Sequence, residues 1–168
     1  MTPAIDALSA DEQEFRILEY AHNAAAENYG NEAADQLGLN PLHVFKTLLA
    51  ELQSGEIVVA VVPVTSLLDL KALSKVAGVK KAKMADVSVA ERRTGYVVGG
   101  ISPFGQVRPH RTFVDDSALL YSEVFVSGGK RGLEVAISPS SFEGVLGATY
   151  APLTGGKNEC HRKLSAPS

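Results

Sequence analysis

Residues 57–64 read Ile57-Val58-Val59-Ala60-Val61-Val62-Pro63-Val64, and residues 44–52 before them read Val44-Phe45-Lys46-Thr47-Leu48-Leu49-Ala50-Glu51-Leu52. The later stretch is an unbroken β-branched and small apolar run, the pattern of a buried strand. The earlier one is apolar around a single lysine. Gln53-Ser54-Gly55-Glu56 lies between them as a glycine-bearing turn, so the pair is expected to form a hairpin. Outward from it, helices and strands alternate irregularly. Residues 69–77 place Leu70, Leu73 and Val76 on one side of a helix that Gly78 closes. Residues 80–84 read as a short strand and residues 86–93 as a helix with Asp86 as N-cap.

Toward the amino terminus, residues 2–12 suggest a helix with Thr2 as N-cap and Pro3 in its first position. Residues 15–20 read as a strand, and residues 31–37 as a helix ended by Gly38. Toward the carboxyl terminus, residues 111–114, 122–126 and 133–137 read as strands, with Ser127-Gly128-Gly129-Lys130 as a turn. Residues 142–146 suggest a short helix, and residues 157–168 a loose polar tail. The expected class is α/β or α+β, in one compact domain over residues 1–156.

The 168 residues include 45% apolar residues and carry a net charge of −3. That is enough chain to bury a core without metal or disulfide. A protein gripping long nucleic acid usually has a basic balance, so any RNA contact is expected to be with a short end. The single cysteine, Cys160, cannot close an internal disulfide or build a cysteine-rich zinc site. The first residues lack a basic start and an apolar core, so no signal peptide is read there. No window approaches the roughly 20 apolar residues of a membrane span. A cytoplasmic protein without a membrane partner is expected.

The motif search removes most cofactor chemistry. No GxGxxG follows a strand, and Gly128-Gly129-Lys130-Arg131-Gly132 has the wrong spacing for a phosphate loop. HExxH is absent, and His22, His43, His110 and His161 have no paired metal spacing. Gly100-Ile101-Ser102-Pro103 is not a nucleophile elbow. Cys160 beside His161 in a polar tail has no scaffold for nucleophilic work. No cofactor and no metal are expected.

Three stretches stand out. Lys46 inside its apolar segment either reaches to water or sits in a pocket, where desolvation would strengthen its grip on a phosphate or carbonyl oxygen. Gly99-Gly100 interrupts an apolar run, either as a bend or to let a ligand approach the backbone amides. Ser127 to Lys130 is either a plain hairpin turn or a ligand-facing loop.

Several segments, in order, carry a resemblance. They are Leu37-Gly38-Leu39-Asn40-Pro41, Val44-Phe45-Lys46-Thr47-Leu48-Leu49, Arg93-Thr94-Gly95-Tyr96, Val98-Gly99-Gly100-Ile101-Ser102-Pro103 and Val126-Ser127-Gly128-Gly129-Lys130-Arg131-Gly132-Leu133. With Met1-Thr2-Pro3-Ala4, Leu68-Asp69-Leu70-Lys71 and Met84-Ala85-Asp86, the chain resembles the YbaK family of deacylases, related to the editing domain of bacterial prolyl-tRNA synthetases. The resemblance implies a strongly curved mixed sheet, barrel-like and surrounded by helices. It implies release of a wrongly attached amino acid, cysteine on proline tRNA above all, with the substrate's own thiol attacking its carbonyl. An alanine-specific deacylase and a non-catalytic tRNA-binding or synthetase-binding module are the alternatives.

Carried over by match, Lys46 helps hold the substrate end; the amides of Gly99 and Gly100 are expected to hold the adenosine end and the ester with it. Tyr20, Tyr29, Thr47, the Gly99-Gly100-Ile101-Ser102-Pro103 strand and the Ser127-Gly128-Gly129-Lys130 loop line the pocket. Glu134 stands where relatives carry aspartate, and Tyr29 where they carry phenylalanine. The implied partners are the acceptor end of proline tRNA and prolyl-tRNA synthetase, with the protein a monomer or homodimer.

Overall fold

A computed structural model describes residues 1–23 and 28–155. Cys160, His161 and the expected tail lie outside the described residues. The hairpin is present as β2 (Phe45–Leu52) and β3 (Ile57–Pro63), paired antiparallel from Phe45↔Pro63 to Glu51↔Ile57. β3 anchors a mixed five-stranded sheet. Beyond β2 comes β4 (Ala82–Met84), antiparallel; beyond β3 come β5 (Thr112–Asp115) and β8 (Thr149–Ala151), both parallel. A second, antiparallel sheet has the order β1 (Phe15–Glu19), β7 (Leu133–Ile137), β6 (Val124–Lys130).

The unbroken apolar run in β3 follows from burial on both faces. Val59 and Val61 enter the core between the sheets, with Phe45, Leu49, Phe104, Val126, Val135 and Phe142. Val58, Ala60 and Val62 enter a second core with Leu73 and Leu153. Leu73 belongs to α3 (Leu70–Ala77), whose start is fixed by Asp69 Oδ1 accepting the Lys71 and Ala72 amides at 3.0 and 3.1 Å. α1 (Pro3–Ala10) is capped by Thr2, as its sequence predicts, and Thr2 also donates its hydroxyl to the Gly128 carbonyl. α2 (Tyr29–Leu37), α4 (Val87–Thr94) and α5 (Ser140–Leu146) complete the helices described. Among the described residues, no helix is long and apolar enough to cross a membrane.

Two expectations are corrected and two are borne out in part. The barrel-like mixed architecture is present as two sheets touching through a Val44–Phe125 bridge, without closing into a barrel. Ser127 to Lys130 is not a turn: β6 continues through it, pairing Ser127↔Glu134 and Lys130↔Leu133 around a bulge, and the chain reverses at Arg131-Gly132. Gly128 is required there because a Cβ would lie 2.8 Å from the Leu133 side chain. Gly99 to Pro103 is a loop, not a strand, since the Gly100 amide closes a turn on the Val97 carbonyl at 2.8 Å. Asp86 does occupy the N-cap of α4, but its side chain makes no capping bond. The three-residue β8 and a 3-10 turn over Asp116–Leu120 have no counterpart in the sequence reading.

Candidate active site

β2 lies at the mouth of a cavity of about 360 Å³. Its wall takes Tyr29, Lys46, Thr47, Gly99, Ile101, Ser127 and Glu134 from the expected residues, and adds Leu48, Met84, Ala85, Val87 and Val98. Five separate segments therefore meet there: the start of α2, the edge of β2, the β4–α4 junction, the Val98–Ile101 loop and the β6–β7 ladder. The volume is in the range of small-ligand sites, and the lining is mainly apolar with a few polar groups.

Lys46 is half-buried, and burial lowers its pKa below the ordinary lysine value. It forms no ion pair among the described residues. An ammonium so placed keeps its field for whatever enters the cavity. Glu134 stands at the buried end, 7% exposed, and its Oε1 has no hydrogen-bond partner. Desolvation pushes its pKa up to about 8, so the carboxyl is mostly protonated at neutral pH. Tyr20, whose own pKa is raised first by burial and then by the Glu134 carboxylate, follows the end of β1, where its amide donates to the Gly132 carbonyl at 2.9 Å. Thr47 Oγ1 is also buried without a partner.

The loop carrying Gly99 is held from several sides. Glu91 accepts the Val98 amide at 2.9 Å, and Arg131 Nε donates to the Val98 carbonyl at 2.9 Å. Gln106 Nε2 donates to the Ser102 carbonyl at 2.9 Å, and Gln106 Oε1 is 2.7 Å from His110 Nδ1. Arg93 Nε is 3.2 Å from His110 Nε2 and can only donate, so that nitrogen accepts and Nδ1–H must point to Gln106. His110 is thereby fixed as one neutral tautomer, and burial with Arg93 and Arg108 nearby lowers its pKa.

Gly99 has φ +92, and a Cβ there would lie 2.8 Å from Arg131 Nε and 2.9 Å from the Tyr29 ring. The Arg131 guanidinium in turn covers that ring at 4.9 Å. Gly100 plays a different part from the one expected. Its amide is engaged with Val97, and a Cβ would meet the Lys130 backbone at 2.7 Å. It lets two loops pack together and offers the cavity no donor; the Gly99 amide, which has no partner among the described residues, remains.

Of the other expected residues, Ser102 is fully buried with its hydroxyl on the Phe104 amide, and Pro103 is buried beside it. Gly128 and Gly129 form the bulge, where Gly129 donates to Ser127 Oγ at 3.1 Å. Tyr20 and exposed Lys130 line a separate shallow depression with Arg131 and Gly132. None of these is a cavity wall. Sequence reasoning missed Met84 and Val87, exposed apolar residues at the cavity rim, although the shortness of the apolar segment before Asp86 was a visible signal.

Comparison with known proteins shows the family and the fold. The sequence profile of the aminoacyl-tRNA editing domain matches residues 25–143. A protein of Enterococcus faecalis, provisionally named Cys-tRNA(Pro)/Cys-tRNA(Cys) deacylase EbsC, is 36% identical over 121 residues, 72% of this chain and 74% of that protein. The fold is shared with a solved protein described provisionally as a trans-editing enzyme for prolyl tRNA synthetase. Its TM-score is 0.79 at 24% identity, over 92% of this chain and 96% of that one. A second solved protein, described only as hypothetical, superposes with a TM-score of 0.81 at 24% identity, over 91% and 99%.

Proposed function

Because the chain belongs to the aminoacyl-tRNA editing domain family, we propose that it removes cysteine wrongly esterified to the acceptor end of proline tRNA. The observation that carries this reading is the half-buried Lys46 ammonium, which forms no ion pair among the described residues, sharing one small cavity with Gly99 and with Glu134, whose Oε1 has no hydrogen-bond partner among them. The cavity takes an aminoacyl ester, and the net charge of −3 fits contact with the RNA end alone.

An aminoacyl ester is already activated, and among the described residues the wall offers no histidine or cysteine as base or nucleophile. The reacting group is then the substrate's own thiol. Its sulfur bonds to the carbonyl carbon, the bond from that carbon to the ribose oxygen breaks, and the thiol proton ends on the ribose oxygen. Cyclic thioester and free tRNA result, with no change of oxidation state. Lys46 and the Gly99 amide supply positive charge where the carbonyl oxygen becomes negative, an effect worth about 10²–10³ in rate per donor. Glu134 accepts a hydrogen bond from the ammonium of the aminoacyl group. The walls hold sulfur and carbonyl carbon close, which is the proximity contribution. Recognition of proline tRNA as a whole is assigned to prolyl-tRNA synthetase as partner.

The test is release of cysteine, serine and alanine from the same proline tRNA by purified protein. Cysteine is expected to leave at least about 100-fold faster than serine, which lacks the soft nucleophile. Equal rates for serine would replace the thiol by activated water, and preferential release of alanine would reassign the substrate. No release of any of them would reduce the protein to a binding module.

A further inference from the structure

The edge of β2 has a gap, and it opens on the cavity. Toward β3, Val64 donates to the Val44 carbonyl at 2.8 Å and Leu52 to the Glu56 carbonyl at 2.8 Å. In an antiparallel ladder, bonded and non-bonded pairs alternate. Even-numbered residues of β2 therefore turn their amides and carbonyls to β3, and odd-numbered ones turn theirs to the opposite edge. Bonds on that edge agree: Gln53 donates to the Lys81 carbonyl at 2.9 Å and Ala85 to the Leu49 carbonyl at 3.0 Å.

The register that pairs Ala50↔Met84 and Leu52↔Ala82 would bring Val87 opposite Thr47 if β4 ran on. It does not, because Asp86 is the N-cap of α4. At the other end, Val44 is bridged to Phe125 of β6. Between these ends, the amide and carbonyl of Thr47 point side by side toward the cavity, and no strand of the described residues pairs with them. Buried backbone polar groups in folded proteins are nearly always paired, with protein or with water, so an unpaired donor–acceptor couple on a cavity wall is available to a ligand. The residues beside it, Met84 at the end of β4 and Val87 at the start of α4, are apolar and 43% and 59% exposed.

We infer that this gap reads the base of the terminal adenosine. The inference rests on the cavity being the aminoacyl-ester site and adds the base selectivity of that site. Adenine presents a 6-amino donor next to the N1 acceptor. The Thr47 carbonyl accepts from the amino group, the Thr47 amide donates to N1, and Met84 and Val87 cover one face of the ring. The base thereby takes the place of the missing strand residue. Guanine and uracil present the same couple reversed, which sets acceptor against acceptor and donor against donor. Cytosine keeps the order but has one ring to bury.

The test uses non-hydrolysable probes, 3′-amide-linked cysteinyl nucleosides differing only in the base, titrated calorimetrically into the full chain. Adenine is expected to bind about tenfold more tightly than purine lacking the amino group, which loses one hydrogen bond. It is expected to bind at least about 30-fold more tightly than guanine, where both groups are left unpaired. Cytosine falls between. Equal binding of adenine and guanine overturns the inference, as does equal binding of adenine and unsubstituted purine. Deacylation of cysteinyl-tRNA, measured in parallel, separates the two failures. Turnover with no base preference sinks the adenine reading alone, whereas base preference without turnover sinks the deacylase reading alone.

Discussion

The two edges of β2 have opposite fates. Toward β3, seven residue pairs run without interruption and the side chains of the partner strand are dry on both faces. Toward the cavity, β4 pairs with only three residues, Ala50, Glu51 and Leu52, before the chain turns away. The closed edge carries stability. The open edge, with the Thr47 amide and carbonyl on it and the Lys46 side chain and Glu134 lining the same cavity, leaves polar groups without partners among the described residues, and such groups are costly unless a ligand meets them. One strand thus separates the residues that hold the fold from those available for chemistry.

That separation can be broken or sharpened by substitution. Leu73→Ala, in the closed core, is expected to lower stability by about 2–5 kcal/mol while leaving the kcat/KM of the remaining folded protein unchanged. Denaturant unfolding beside single-turnover deacylation would measure both. A large loss in kcat/KM at temperatures where the variant is folded would mean the two sides of β2 are coupled. Gly99→Ala drives a Cβ against Tyr29 and Arg131 at a positive φ. The expected loss is about tenfold or more in turnover, from displacement of a cavity wall. Gly38→Ala serves as the control: the backbone there is equally left-handed, φ +67, but the added carbon meets nothing within 4 Å. It is expected to cost about 1 kcal/mol of stability and no activity.

Glu134 gives a pH signature. Its carboxyl is held protonated by burial up to about pH 8, while the unfolded chain releases that proton near the ordinary glutamate value. Between those two values the folded state binds the extra proton, so this group's contribution to stability falls as pH rises and levels off above about 8. Glu134→Gln removes the titration. Thermal unfolding from pH 5 to 9 should show the wild type losing ground relative to the variant as pH rises, and a constant difference would refute the buried neutral carboxyl. An effect as small as that of Gly38→Ala, and opposite in sign, is expected of Thr47→Val, which replaces a buried hydroxyl without a partner among the described residues by a methyl group of similar shape. A gain of about 1 kcal/mol in stability is expected, read by denaturant midpoint.

Much of the fold was legible because the chain obeys local rules where it is dry. The β2–β3 hairpin follows from its apolar run and turn, α3 from its apolar spacing and Gly78, and α1 from Thr2 and Pro3. The family was legible in the ordered motifs, which the editing-domain match over residues 25–143 bears out. What was not legible depends on contacts between distant segments. Gly128-Gly129 resembles a hairpin turn, but Leu133 packing and the Thr2 hydroxyl make it a bulge. Gly100 resembles a donor beside Gly99, yet the approach of Lys130 decides its part. Whether the barrel-like arrangement closes was not legible, because strand closure is set by sheet edges, which no local pattern encodes. The open slot at Thr47 required the register of three strands, although the early Asp86 cap marked where β4 would stop.

The claim beneath all of this is that the open edge of β2 is where the acyl ester is held, with the Lys46 ammonium facing the reacting carbonyl. The most direct measurement is single-turnover deacylation of cysteinyl proline tRNA by Lys46→Ala, with thermal unfolding recorded on the same sample. The account predicts a fall of about 10²–10³ in rate with an unfolding midpoint at or above that of the wild type, since a desolvated cation has been removed. Wild-type turnover in a folded Lys46→Ala protein would contradict it.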